Sequence, residues 1–91
     1  MLPVIWLEEA EKDLEEILSN LADYDATAAY NLNDTVQQAA LKLHQDYRLY
    51  PAGPVANTKK RVIGSFYMLI YRVTDIEVEI VNVVHTRRRY P

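Results

Sequence analysis

The sequence predicts an α+β domain in two layers, in which an antiparallel helix hairpin packs on a small, mostly antiparallel sheet. Two observations carry this prediction. Apolar residues recur at helical spacing through the first half of the chain, and short apolar runs separated by turn residues fill the second half. The resulting order is β-α-α-β-β-β, and it spans residues 1–91 as a single domain. A chain of this length buries a modest fraction of its surface, so we expect a partner to stabilise it.

The first strand and the first helix are predicted next to each other at the start of the chain. "LPVIWL" (2–7) is short, β-branched and aromatic, and its early proline suits the beginning of a strand. A helix begins at Glu8, and its apolar residues fall on one face: Ala10, Leu14, Ile17, Leu18 and Leu21. Acidic residues fill its first turns, where the helix dipole favours negative charge.

A second helix is predicted directly after the break at "DYD" (23–25). Asp25 is a residue type that caps helix N-termini. The apolar residues that follow keep helical spacing to about residue 47, and they are Ala29, Leu32, Val36, Ala39, Ala40, Leu43 and Tyr47. Because the connection between the helices is so short, the two helices must run antiparallel.

Three strands are predicted after a loop at 48–60, which holds two prolines and one glycine. They are "KRVI" (60–63), "FYMLIYRV" (66–73) and "VEIVNVV" (78–84), and the short turns between them suit hairpins. The middle run is almost continuously apolar, so we expect it at the centre of the sheet. The last run begins with an alternation of glutamate and apolar residues, which is typical of a half-buried strand.

The composition excludes several classes of protein. There are no cysteines, so disulfides and thiolate metal sites are excluded. The two histidines, His44 and His85, have no spaced ligand partners, and we expect neither a metal nor another cofactor. The longest apolar runs are far shorter than the roughly 18 residues that a membrane span needs. The N-terminus lacks the basic region of a signal peptide, so a cytoplasmic location is expected.

Charge is distributed unevenly along the chain. Residues 1–58 hold ten acidic and three basic side chains, a net charge of −7, whereas residues 59–91 hold three acidic and seven basic side chains, a net charge of +4. A basic second half suggests an anionic partner for one surface. Two oppositely charged solvated faces explain the same numbers, and charge alone favours that simpler interpretation.

Four stretches of the sequence carry a recognisable pattern. They are "MLPVIWLEEAEKDL" at 1–14, "RLYPAG" at 48–53, "YMLIYRV" at 67–73 and "VVHTRRRYP" at 83–91. In order and spacing they resemble the RelE/ParE superfamily of toxins from bacterial type II toxin–antitoxin systems, and the ending "HxxRxxP" is closest to the ParE branch. The matching positions are Leu2, Pro3, Trp6, Ala10, Asp13, Leu14, Tyr71, Arg72, Val73, His85, Arg88 and Pro91.

The resemblance implies two alternative targets. Toxins of the ParE branch bind DNA gyrase and stabilise its intermediate with cleaved DNA, and they are not themselves enzymes. Toxins of the RelE branch cut mRNA inside the ribosome, which needs a base, a cation against the phosphate and an acid for the leaving oxygen. His85, Arg88 and Tyr90 are chemically able to fill those three roles. The acidic helices favour gyrase, because a protein that enters the ribosome must dock among rRNA phosphates.

Several of these candidates also have a structural interpretation. His85 follows the last strand, and its ring can tie the tail to the sheet by hydrogen bonds. Tyr90 can pack its ring on the sheet, and the ParE branch, by resemblance, tolerates other aromatic residues there. Arg72 lies in an apolar strand, where a carboxylate partner explains its charge as well as a ligand phosphate does.

A cationic surface for the target is expected from the second half of the chain. Its candidate residues are Lys60, Arg61, Arg72, Arg87, Arg88 and Arg89. Superfamily members, by resemblance, carry an arginine where the second strand opens. Lys60 and Arg61 both fit that place, and as successive strand residues they face opposite sides of the sheet, so the phosphate-facing residue is open.

The resemblance further implies a cognate antitoxin, partly disordered alone, that folds on the toxin to form a hetero-oligomer. In the family mode, a helix and an extended stretch cover apolar grooves, and a sheet edge can accept an added strand. We expect contacts on the exposed parts of the helices and the loop that follows, at Leu14, Leu18, Leu21, Val36, Tyr47 and Tyr50. A third hypothesis is a weakly toxic member that acts mainly as an antitoxin-binding module.

Overall fold

Two helices pack on one face of a four-stranded mixed sheet in the computed structural model, which describes residues 1–87. Its elements are β1 (Val4–Trp6), α1 (Glu8–Ala22), α2 (Ala26–Asp46), β2 (Lys59–Ile63), β3 (Tyr67–Val73) and β4 (Val78–His85). The predicted α+β class and the β-α-α-β-β-β order are therefore confirmed. Over the part of the chain that is described, neither helix is long and apolar enough to cross a membrane.

The sheet has the strand order β1-β4-β3-β2, so the first strand lies beside the last. β2, β3 and β4 form antiparallel pairs, and β1 joins β4 in parallel, with Trp6 opposite Ile80. β3 lies between β2 and β4, which confirms the expected central place of the most apolar run. β1 is shorter than the predicted 2–7 at both ends. The amide of Leu2 donates to the carbonyl of His44 on α2, 3.1 Å away, and Leu7 is the N-cap residue of α1.

Local sequence signals position both helices. Asp25 precedes α2, and its side chain accepts a hydrogen bond from the amide of Ala28 at 3.0 Å, which confirms the predicted N-cap. Acidic side chains occupy the first turn of α1, where they offset the positive end of the helix dipole. The two helices then pack against each other, and α1 also packs against β4. This contact between α1 and β4 positions the candidate site.

The core lies between the helices and the sheet, and its fully buried side chains include Leu43 of α2, Tyr71 of β3 and Ile80 of β4. The Tyr71 hydroxyl donates to the backbone carbonyl of Tyr47 at 2.7 Å. Its polar atom is therefore satisfied inside the core. Burial raises the pKa of Tyr71 to about 12, and a nearby carboxylate acts in the same direction.

Candidate binding cleft beside the last strand

A cleft of about 510 Å³ opens between α1 and the end of β4. Its two walls differ in charge, because α1 contributes Asp13 and Glu16 whereas the turn after β4 contributes Arg87. Apolar side chains complete much of the lining, among them Ile17, Leu21, Tyr24 and Tyr67. The cleft therefore offers a partner an apolar surface together with the first of three successive arginines.

Asp13 fixes the position of α1 against β4. Its Oδ2 accepts hydrogen bonds from the backbone amide of Val83 at 3.1 Å and from the side-chain amide of Asn82 at 2.8 Å. β4 is irregular at this point, because its register against β3 slips between Ile80 and Asn82. Such a bulge interrupts the backbone hydrogen bonds between the two strands. The Asp13 carboxylate accepts a hydrogen bond from the amide of Val83, which follows the bulge.

Replacing Asp13 with alanine is expected to lower the free energy of unfolding by about 1–2 kcal/mol, because two partly buried donors lose their acceptor. Asp34→Ala on α2 is the control, since Asp34 is exposed, and we expect a change within about 0.5 kcal/mol. Urea denaturation of the two variants measures both values. Equal midpoints for the two variants would contradict the anchoring role of Asp13.

His85 ends β4 with its ring held by neighbouring groups. The ring stacks on Phe66 with centroids 5.7 Å apart, and it meets the ring of Tyr67 edge-on at 5.2 Å. Its Nδ1 accepts a hydrogen bond from the backbone amide of Arg87 at 3.1 Å. These contacts correspond to the structural interpretation, in which the histidine ties the end of the chain to the sheet.

Phe66, in the turn between β2 and β3, contacts two residues that line the cleft, His85 and Arg87. Sequence reasoning missed this residue. The Arg87 guanidinium lies over its ring, 5.3 Å from the centroid, although 46% of Phe66 remains exposed. The amide of Thr86 donates to the Phe66 carbonyl at 2.6 Å, and the Thr86 hydroxyl donates to the Ser65 carbonyl at 3.2 Å. The sequence did contain a signal for this contact. An aromatic residue directly after the turn "GS" is solvent-exposed unless another segment covers it, so its presence indicates such a covering segment.

The other described cations of the expected target surface do not share one face of the sheet. Lys60 lies opposite Ile70 in the β2–β3 ladder and points away from the helices, whereas Arg61 lies opposite the core residue Leu69 and points toward them. Arg72 follows Ile70 by two residues and so shares the side of Lys60. Of the two residues that fit the opening of the second strand, Lys60 is therefore the one on the face that points away from the helices.

Arg61 is held in a polar cluster at the end of α2. Its guanidinium lies over the ring of Tyr50, 4.7 Å from the centroid, and within residues 1–87 its buried Nε has no hydrogen-bond partner. The Tyr50 hydroxyl donates to Oδ2 of Asp46 at 3.1 Å, and Oδ1 of the same carboxylate is likewise buried without a partner there. Arg61 thus packs β2 against the end of α2, which disfavours the predicted contact with a target.

Arg72 has a carboxylate partner within the sheet. Its Nε and Nη2 both donate to Oε1 of Glu79 on β4, at 2.9 and 2.6 Å. The hydrogen bond from Arg72 holds the pKa of Glu79 below its usual value, and a hydrogen bond with Glu77 lowers it further. The same bond between the two glutamates raises the pKa of Glu77. Of the two explanations for Arg72, the structure therefore favours the carboxylate.

Burial divides the six residues that we expected to contact an antitoxin. Three of them are core residues, with at most 8% of their surface exposed, and they are Leu14, Val36 and Tyr47. The expectation that these three lie on exposed parts of the helices and loop is wrong, because helical periodicity identifies the buried face rather than its margin. The other three are partly exposed, and they are Leu18, Leu21 and Tyr50.

The remaining predicted site residues, Arg88, Arg89 and Tyr90, lie outside the described residues. The roles expected for them stay predictions from the sequence.

A helix hairpin on one face of a mixed sheet, with Arg87 across a cleft from the first helix, fits the class of protein that the sequence resembles, the toxins of the RelE/ParE superfamily. The family model described as "ParE toxin of type II toxin-antitoxin system, parDE" matches residues 4–90. The chain therefore belongs to the ParE toxin family and is a toxin of a type II toxin–antitoxin system.

Solved structures share this fold at low sequence identity. A chain of the chromosomal ParDE toxin–antitoxin system from P. aeruginosa has a TM-score of 0.83 and 16% identity, over 93% of this chain and 96% of that chain. A conserved hypothetical protein from Helicobacter pylori has a TM-score of 0.60 and 19% identity, over 94% and 96% of the two chains. YafQ from E. coli has a TM-score of 0.51 and 15% identity, over 94% of each chain. No curated protein matches the chain.

Proposed function

We propose that this toxin inhibits DNA gyrase by binding it, and that a cognate antitoxin neutralises the toxin by covering its surface. Membership of the ParE family is the observation that carries the proposal. The structural neighbour from P. aeruginosa belongs to a ParDE toxin–antitoxin system, which supports a cognate antitoxin as the partner of this chain as well.

The cleft favours a toxin that acts by binding a partner over a toxin that cleaves RNA. A histidine that acts as a general base needs its unprotonated ring nitrogen within reach of the proton that it removes. In His85 that nitrogen is Nδ1, which already accepts a backbone hydrogen bond from Arg87, and the ring packs against two aromatic rings. Asp13 and Glu16 add negative charge to the opposite wall, which would repel an RNA phosphate. Arg87 is a cation of this cleft that an anionic group of a partner can meet.

Two assays with the purified toxin test the target. In a supercoiling assay with gyrase, we expect loss of supercoiling and accumulation of cleaved DNA, because the bound toxin stabilises the cleaved intermediate. In a parallel incubation with ribosomes and mRNA, we expect the mRNA to stay intact. Cut mRNA together with normal supercoiling would contradict the gyrase proposal and support the ribosome-dependent endonuclease. No effect in either assay would support the third hypothesis, a weakly toxic member that acts mainly as an antitoxin-binding module.

Arg87→Glu is expected to weaken gyrase inhibition on the order of tenfold, because it reverses an exposed charge at the edge of the cleft. Arg48→Glu is the matched control: its guanidinium also lies over an aromatic ring, 5.2 Å from the centroid of Tyr47, but Arg48 is not part of the cleft. Inhibitory concentrations and melting temperatures are measured for both variants. Equal loss of inhibition in two folded variants would show that the cleft is not the contact surface.

A further inference from the structure

The second half of β4 forms an edge of the sheet beside α1. β1 pairs with β4 only from Val78 to Ile80, so it covers the first three residues of an eight-residue strand. Beyond the bulge, β4 continues to His85 with β3 as its single neighbour among the described strands. The cleft of about 510 Å³ opens along this second half of the strand, and Val83, Val84 and His85 line it.

The hydrogen bonds around this segment show which way its backbone groups point. The amide of Thr86 donates to the carbonyl of Phe66, so it points toward β3. The amide of Val83 donates to Asp13 of α1, so it points away from β3. Along a strand, the N–H and C=O of one residue point to the same side, and successive residues alternate. Both backbone groups of Val83 and of His85 therefore point away from β3.

Three of these four backbone groups have no partner. Within residues 1–87, no hydrogen bond reaches the carbonyl of Val83 or the carbonyl and amide of His85. We call these three groups the free edge. The amides that follow in the chain are engaged, because Thr86 donates to Phe66 and Arg87 donates to the His85 ring. Backbone polar groups are strong hydrogen-bonding groups, so the free edge can bind a partner that supplies the matching donors and acceptor.

We propose that the free edge receives an extended segment of gyrase, which adds a strand to the sheet in line with β1. The inference rests on the proposed function and adds the mode of binding at the same cleft. The added strand makes one hydrogen bond to each of the three groups, whether it runs parallel or antiparallel to β4. Its side chains alternate, so every second one faces the apolar residues of the α1 wall, Ile17 and Leu21.

The chemistry of the free edge matches a peptide backbone. Two acceptors and one donor along a strand are the complement of another extended chain. A nucleic acid presents phosphate oxygens that only accept hydrogen bonds, so they cannot bond to the two carbonyls. A helix has already used its own backbone groups within its turns.

The charges around the cleft add one feature to the segment. Arg87 is exposed, forms no ion pair with residues 1–87, and is followed by two further arginines in the sequence. A carboxylate of the bound segment therefore lies beside Arg87. Glu16 on the α1 wall repels a continuous run of negative charge, so we expect a single acidic residue at the Arg87 end of an otherwise apolar segment.

Hydrogen exchange of the His85 amide tests the proposal. Within residues 83–87 it is the one amide without an acceptor, because Val84 points toward β3, opposite Met68, and the other three donate to the groups named above. We expect this amide to exchange rapidly in the full-length toxin alone. Saturating gyrase should slow its exchange by about tenfold or more. Mass spectrometry of peptic fragments that cover residues 83–87 measures both rates.

Two substitutions at position 85 separate the backbone from the side chain. His85→Pro removes the ring and the N–H, whereas the matched control His85→Ala removes the ring alone. Proline is tolerated on a strand edge whose N–H faces solvent, so we expect both variants to fold, and melting temperatures check this. We expect His85→Pro to inhibit gyrase about tenfold less well than His85→Ala, because a carbonyl of the partner loses its donor.

Three outcomes would overturn the strand addition. They are unchanged exchange of the His85 amide in saturating gyrase, slow exchange in the toxin alone, and equal inhibition by the two folded variants. Slow exchange in the toxin alone would assign the edge to the toxin itself. The exchange measurement decides the proposal by itself if His85→Pro does not fold. A wild-type toxin that leaves supercoiling intact would refute the proposed function as well, whereas inhibition combined with any of the three outcomes would refute the strand addition alone.

Discussion

Replacing Leu43 with alanine is expected to lower the free energy of unfolding by about 2–5 kcal/mol. The Leu43 side chain is fully buried, with 0% exposure, in the core that joins α2 to the sheet. Its truncation removes apolar contacts and leaves a cavity that the surrounding side chains fill only in part. Domains are stable by about 5–15 kcal/mol, so this loss is a large share of the total. We expect toxicity to fall with it, because the unfolded fraction is degraded in cells.

Leu41→Ala is the matched control for this effect. Leu41 lies on the same helix and undergoes the same chemical change, but 63% of it is exposed. We expect its free energy of unfolding to change by less than about 0.5 kcal/mol. Urea denaturation followed by circular dichroism measures both variants. If Leu41→Ala costs as much as Leu43→Ala, the loss reflects the helix itself rather than the core.

The elements of this fold could be predicted because each depends on local sequence. Helical spacing of apolar residues gave α1 and α2, and Asp25 marked the start of α2 through a side-chain bond to the backbone three residues on. The strand order could not be predicted in the same way. The parallel pairing of β1 with β4 joins residues more than seventy positions apart, such as Val4 and Val78, and no short pattern encodes it.

The bulge in β4 shows the same limit at the candidate site. The alternation that begins β4 ends near Val81, and the register against β3 then slips. Just after the slip, Asp13 accepts a hydrogen bond from the Val83 amide, and this bond joins two residues seventy positions apart. Sequence reasoning recognised Asp13 as part of a family pattern, but it gave the residue no physical role.

Exposure was the property of the site that sequence reasoning predicted least well. The pattern that identifies an amphipathic helix selects its most buried residues, which is why Val36, with 1% exposure, was expected on a binding surface. Choosing between Lys60 and Arg61 required the register of β2 against β3, because a shift of one residue exchanges the two faces. Both decisions depend on tertiary packing, which a single sequence does not state.

Replacing Tyr71 with phenylalanine is expected to change the dependence of stability on high pH. The folded-state pKa of Tyr71 is about 12, above its usual value of 10.0, chiefly because burial disfavours the charged phenolate. Between pH 10 and 12 the unfolded state therefore loses a proton that the folded state keeps. The stabilisation is complete below pH 10, and it is lost as the pH rises toward 12, by about 1.4 kcal/mol per pH unit and about 3 kcal/mol in total.

The phenylalanine variant lacks this titration, so the order of stabilities should reverse with pH. Near pH 7 the wild-type protein is expected to be more stable by about 1 kcal/mol, because its hydroxyl donates to the Tyr47 carbonyl. Near pH 12 the variant is expected to be the more stable protein. Urea denaturation at several pH values measures the difference, and Tyr24→Phe, at a side chain with 90% exposure, is the control that should follow the wild-type protein throughout. A constant difference between wild type and Tyr71→Phe from pH 8 to pH 12 would show that the Tyr71 pKa is not raised by folding.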